Sequence, residues 1–211
     1  MLKENKVLRQ EARKALEGNW GMAAVATLIY MIIAFGLSSI PYGGIILTLL
    51  IGVPIGWGLY IIFYDVYHRR GVQLSTLFEG FKSYSRVLGT QLLAGLYTLL
   101  WTLLLIVPGI IKAISYAMTT FILRDDPSIA YNDAIEKSMA MMEGHKMKFF
   151  LLTLSFIGWY LLCCLTLGIG LLLLYPYIYT SYAAFYEDLK AEAGELGQTQ
   201  ETQQDQATET L

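Results

Sequence analysis

Gly18 to Tyr64 reads GNWGMAAVATLIYMIIAFGLSSIPYGGIILTLLIGVPIGWGLYIIFY, without a single Asp, Glu, Lys, Arg or His. One helix needs roughly 20 apolar residues to cross a bilayer, so this run is about two crossings long. The turn-forming cluster Ser38-Ser39-Ile40-Pro41-Tyr42-Gly43-Gly44 sits in its middle and folds it into a hairpin. Two further runs repeat the arrangement: residues 87–123, broken only by Lys112, and residues 149–186, again uncharged. Their turns are Val107-Pro108-Gly109 and Thr166-Leu167-Gly168-Ile169-Gly170. In hydrocarbon each backbone group must be satisfied internally, and the period-2 alternation of a membrane barrel is absent, so the segments are helices. The predicted fold class is all-α: a polytopic membrane bundle of six transmembrane helices, near 20–40, 44–65, 87–107, 109–124, 148–166 and 170–188.

Charge orients the bundle. An apolar content of 55% against 15% charged residues fits lipid as solvent better than a soluble domain. Of the 15 Lys and Arg, all but Lys112 fall before the first run, between runs or after the last, and the three mid-run turns carry none. By the positive-inside rule both termini are expected in the cytoplasm. The basic N-terminus, with Lys3, Lys6, Arg9, Arg13 and Lys14, precedes a run too long for a signal-peptide core, and reads as an uncleaved first segment. The net charge of −2 reflects acids that share the loops with the bases, and nothing favours a nucleic-acid partner. The predicted organisation is a single membrane domain over 1–189 and a disordered polar tail over 190–211.

The runs align on an internal period of about 63 residues. Glu17-Gly18, Glu79-Gly80 and Glu143-Gly144 each precede a hairpin, the last two followed by Lys82 and Lys146. Phe63-Tyr64-Asp65 and Phe185-Tyr186-Glu187 close the first and third, each nine residues beyond a proline, Pro54 or Pro176. Phe121 is the middle equivalent, and nine residues before it stands Lys112. Three parallel repeats follow, roughly 7–65, 72–125 and 128–189, each one hairpin preceded by a short interfacial amphipathic helix. In the second of these helices Leu74, Leu77, Phe78 and Phe81 share a 3.6-period face; Leu8, Ala12, Ala15 and Leu16 do so in the first, and Ile135, Met139 and Met142 in the third. Asp126-Pro127 is the expected N-cap and first residue of the third.

Lys112 is the foremost candidate site residue, because an intramembrane lysine costs about 2.5–3.5 kcal/mol on insertion scales. Two roles stand open: snorkelling to the outer interface, or holding an anionic headgroup or substrate. Glu17, Glu79 and Glu143, with Lys82 and Lys146, form either a symmetric cytoplasmic cluster or carboxylates beside helix-ending glycines. His68 and His145 lack metal-ligand spacing, and the adjacent Cys163 and Cys164 cannot easily pair with each other. No cofactor, metal or catalytic constellation is expected. The tyrosines of the last hairpin either line a polar cavity or bond neighbouring backbone.

The motifs Val107-Pro108-Gly109-Ile110-Ile111-Lys112, Glu143-Gly144-His145-Lys146, Phe156-Ile157-Gly158-Trp159 and Tyr182-Ala183-Ala184-Phe185-Tyr186 resemble a bacterial integral-membrane family, domain of unknown function 975. With Gly18-Asn19-Trp20-Gly21 the resemblance spans 16–189. It implies a bacterial cytoplasmic-membrane protein and no established activity. The expected function is therefore a non-enzymatic membrane component whose partners are membrane lipids, other proteins or further copies of itself. The alternative is a transporter or channel for a small solute or lipid, since repeats and proline-broken helices recur in such folds.

Overall fold

The computed structural model describes residues 2–166 and 168–209, with side chains described as far as Gly194. Among the described residues every regular element is helical. After the short helix α1 (Asn5–Leu16) comes α2 (Trp20–Ser38). The return strand of this hairpin is one apolar stretch, Gly44–Tyr67, made of α3 (Gly44–Leu47), a π-helical turn (Thr48–Gly52) and α4 (Val53–Tyr67). A 3-10 helix (Leu74–Phe81) leads into α5 (Tyr84–Leu104), then α6 (Ile106–Ser115) and α7 (Thr119–Asp125). The chain finishes with α8 (Tyr131–Met141), α9 (Lys146–Leu154), α10 (Ile157–Leu165) and α11 (Leu171–Glu209).

Five helical stretches are long and apolar enough to cross a membrane: Trp20–Ser38, Gly44–Tyr67, Tyr84–Leu104, Ile106–Asp125 and Lys146–Leu165. They match five of the six expected spans. The start of α11 occupies the sixth, but its tyrosines and the Glu187-Asp188 pair make it more polar than the rest. Large side chains project outward along these stretches, with Phe35 76%, Leu103 82% and Leu165 81% exposed, which fits a membrane protein whose outer surface meets lipid. Of the expected turn residues, Leu167 lies outside the described part, as do most side chains of the expected 190–211 tail.

Two breaks in the spans are mended by side chains from elsewhere. Pro54 has no N–H to donate to the Leu50 carbonyl four residues back, so the helix widens into the π-turn just before it. The Tyr84 hydroxyl donates to that Leu50 carbonyl at 3.0 Å. In the middle hairpin α6 and α7 are separated at 116–118, and Ser138 of α8 serves both loose ends. Its hydroxyl donates to the Ser115 carbonyl at 2.7 Å and accepts from the Met118 N–H at 3.2 Å.

Each of the three short helices runs back along a long helix of the bundle and buries part of its apolar face there. Leu77 meets Gly58 and Gly80 meets Pro54, so the 3-10 helix lies antiparallel on α4. Ser138 meets Ser115 and Met118 while Met139 meets Lys112, so α8 lies antiparallel on the α6–α7 stretch. Helix α1 takes the same course on α11: the Lys3 N–H donates to Asp188 at 2.7 Å near one end, and Arg13 shares a groove with Tyr177 near the other. Leu8, Ala12, Ala15 and Leu16 are accordingly buried against protein.

The second short helix also corrects the expected face. In a 3-10 helix residues three apart eclipse, so Leu74, Leu77 and Gly80 point inward while Phe78 and Phe81 point out. The third begins later than its expected cap. Asp126 instead closes a turn, accepting from the Ser128 N–H and hydroxyl at 3.0 and 2.6 Å and from the Ile129 N–H at 3.3 Å, and α8 starts at Tyr131.

Candidate functional site

Helices α4 and α7 and the middle of α11 meet in an aromatic triangle of Tyr64, Phe121 and Tyr186, with ring centroids 5.7, 6.1 and 5.2 Å apart. Above it sits a charged layer. Asp125 accepts from the Tyr64 hydroxyl at 2.6 Å, the Tyr186 hydroxyl at 3.1 Å and the Lys190 ammonium at 2.5 Å. Glu187 accepts from Tyr64 at 2.9 Å and Lys190 at 3.2 Å, and lies 3.5 Å from His68 Nε2. Arg124 donates to Glu79 at 2.6 Å and to Asp65 at 3.3 Å, and Arg70 pairs with Asp65 at 2.9 Å. Arg86 donates to three carbonyls, that of Leu123 in α7 and those of Asp126 and Ile129 in the loop after it, at 3.0–3.2 Å. These groups satisfy one another and together close the basic end of the bundle.

Burial in this layer lowers the Lys190 pKa, but its hydrogen bonds to Asp125 and Glu187 and their charges outweigh it, so the net shift is upward. For Asp126, the hydrogen bonds from Ser128 and Ile129 stabilise the carboxylate and hold its pKa below the ordinary value.

Among the described residues no hydrogen bond or ion pair joins Glu17, Glu79 and Glu143 to one another. Two of the three Glu-Gly pairs end helices. Gly18 has φ +82° and Gly144 +77°, the left-handed geometry of a helix C-terminus, and Glu17 and Glu143 are exposed beside them. The third differs, because Gly80 is a close-approach residue and Glu79 belongs to the charged layer, with Lys82 beside it at 3.8 Å. Lys146 opens α9 and enters no ion pair among the described residues.

Lys112 neither faces an acid nor stands free. Its ammonium is 3.7 Å from the Met139 sulfur and 5.3 Å from the centroid of the Trp101 ring, a cation–π placement. Sequence reasoning on the tip of the middle hairpin has no view of Met139, which arrives from α8. It also missed the layer around Asp125, although the repeated Phe-Tyr-acid ending of the first and third hairpins was its signal.

A groove of about 470 Å³ opens between α10, α11 and the start of α2, with Arg13 of α1 at its rim. Cys163 is buried in its wall while Cys164 is exposed, both as free thiols. Among the described residues no group of three His, Cys, Asp or Glu is placed to hold a metal ion.

Among the described residues every regular element is helical and five stretches are long and apolar enough to cross a membrane, the class of a membrane protein. The chain belongs to the family described as protein of unknown function, DUF975, which it matches over residues 1–118 and 103–193. No curated protein and no solved structure matches it.

Proposed function

We propose that this chain is a non-enzymatic component of the bacterial cytoplasmic membrane, acting through contacts with lipid or with partner proteins. It crosses the bilayer six times, α11 supplying the sixth span, with both termini inside. The placement of 14 of its 15 Lys and Arg residues away from the hairpin turns supports that orientation. Three pseudo-equivalent repeats form a ring. The 3-10 helix that opens the second repeat lies on α4, which ends the first; α8, which opens the third, lies on α6–α7, which end the second; α1, which opens the first, lies on α11, which ends the third. The first two contacts join neighbours in the chain, whereas α1 on α11 joins opposite ends and closes the circle.

The observation that carries the functional reading is the charged layer at the centre of this ring. A carrier needs an opening on each side of the membrane in turn, and proton-coupled carriers place Asp, Glu or His within the spans. Here the carboxylates of Asp125 and Glu187 are tied to Tyr64, Tyr186 and Lys190 at the end of the bundle.

The rival reading, a transporter or channel for a small solute or lipid, draws on Lys112 within an apolar stretch. Proteoliposomes containing the whole chain decide between them. Neither solute flux nor lipid scrambling is expected above protein-free vesicles, and Lys112→Leu changes nothing. Transport that the natural chain supports and Lys112→Leu abolishes sinks the non-transport reading. Orientation is tested separately by an impermeant thiol label on single cysteines placed at Tyr42 and Ile169, which should react in intact cells.

A further inference from the structure

We propose that the groove between α10, α11 and α2 is a binding site for an anionic phospholipid, with an acyl chain along its wall and the phosphate held by Arg9 and Arg13. This deepens the lipid-contact reading above and rests on it. The groove's volume of about 470 Å³ lies within the roughly 300–1,000 Å³ of small-ligand sites. Its wall is apolar, formed by Trp20, Trp159, Cys163 and Leu174, with Tyr177 below the basic rim. In a bilayer the molecules available to fill such a wall are acyl chains.

The rim specifies the headgroup. Arg13 lines the groove, and Arg9 stands one helical turn before it on α1. Unlike Arg70 and Arg124, neither has a carboxylate partner among the described residues. The Nε–H of Arg9 is buried and also lacks any hydrogen-bond partner there. A buried guanidinium donor left unpaired calls for an acceptor. Guanidinium groups pair bidentately with phosphate, and a phosphate at the membrane end of an acyl chain meets both requirements.

The full chain in detergent is exposed to mixed micelles of phosphatidylglycerol or phosphatidylcholine with identical chains, and bound lipid is counted by native mass spectrometry alongside thermal unfolding. Phosphatidylglycerol is expected to bind roughly tenfold more tightly, since both lipids carry the phosphodiester but phosphatidylcholine adds a choline cation that the two guanidinium groups repel. Arg13→Gln, at an exposed position, should remove most of the preference, and the Arg9→Gln Arg13→Gln pair all of it. Lys14→Gln, an exposed charge on the same helix, should leave it intact. Leu162→Trp, which fills the groove from its 51% exposed side, should weaken both lipids.

Equal binding of the two lipids overturns the proposal, as does a preference that survives both arginine substitutions. Inorganic phosphate stabilising the chain as much as phosphatidylglycerol does overturns the lipid assignment in favour of a free-anion site. If the arginine pair fails to fold, Arg13→Gln and Leu162→Trp still decide. Failure here leaves the non-transport reading standing, because that reading fails only on flux.

Discussion

Gly80 and Gly18 follow a glutamate in the same way, yet their substitutions should behave differently. A Cβ on Gly80 would sit 2.4 Å from the Pro54 carbonyl oxygen, and one on Gly58 2.3 Å from that of Leu77, so two backbones must separate to admit a methyl group. Gly18 has open space around it and suffers only the left-handed geometry at φ +82°, which costs a residue with a Cβ about 1–2 kcal/mol. Gly58→Ala and Gly80→Ala should therefore lower Tm more than Gly18→Ala. Asparagine tolerates the left-handed region, so Gly18→Asn should be milder than Gly18→Ala, whereas Gly80→Asn should be worse than Gly80→Ala. The reverse order in either pair would remove the distinction between the two glycines. Sequence shows the three Glu-Gly pairs as alike because it registers the residue and not what lies across from it. Nor does a 3.6-residue period find Gly80 on the inner face, since the local helix has the tighter 3-10 winding.

Helices were legible because an uncharged run of bilayer length has few other outcomes; their interruptions were legible only where proline caused them. Pro54 announces the loss of a donor to Leu50, but not that Tyr84 replaces it. In the middle hairpin no proline marks the break at 116–118, and the mending residue is Ser138, about twenty positions downstream. Ser138 is fully buried. Ser138→Ala leaves the Ser115 carbonyl and Met118 N–H without their partner, at a cost of about 1–3 kcal/mol. Tyr84→Phe, at a more exposed position, should cost about 0.5–1.5 kcal/mol. Reversible unfolding in mixed micelles measures both, and a neutral Ser138→Ala would mean the break is held by packing alone. Helix α1 offers a third comparison. Leu8 is completely buried, so Leu8→Ala should cost about 2–5 kcal/mol as in a protein core; a helix merely resting on lipid would lose far less.

At the scale of the whole molecule, long-range contacts hold together what hydropathy only divides into segments. The charge pattern locates the basic end, but the pairing of Asp125 with Tyr64, Tyr186 and Lys190 spans more than sixty residues in each case, and no local rule chooses those partners. That pairing makes a pH prediction with a definite sign. Lys190 has its folded-state pKa raised above the ordinary lysine value of 10.5, because Asp125 and Glu187 outweigh its burial. A raised folded pKa means that the charged lysine stabilises the fold fully below about 10.5 and that this contribution fades as pH climbs through the higher folded value. The Tm deficit of Lys190→Gln should accordingly be level from neutral pH to about pH 10 and narrow beyond it. A deficit that instead narrows on acidification below neutral pH would show that the Lys190 ammonium is not the group whose titration governs this layer.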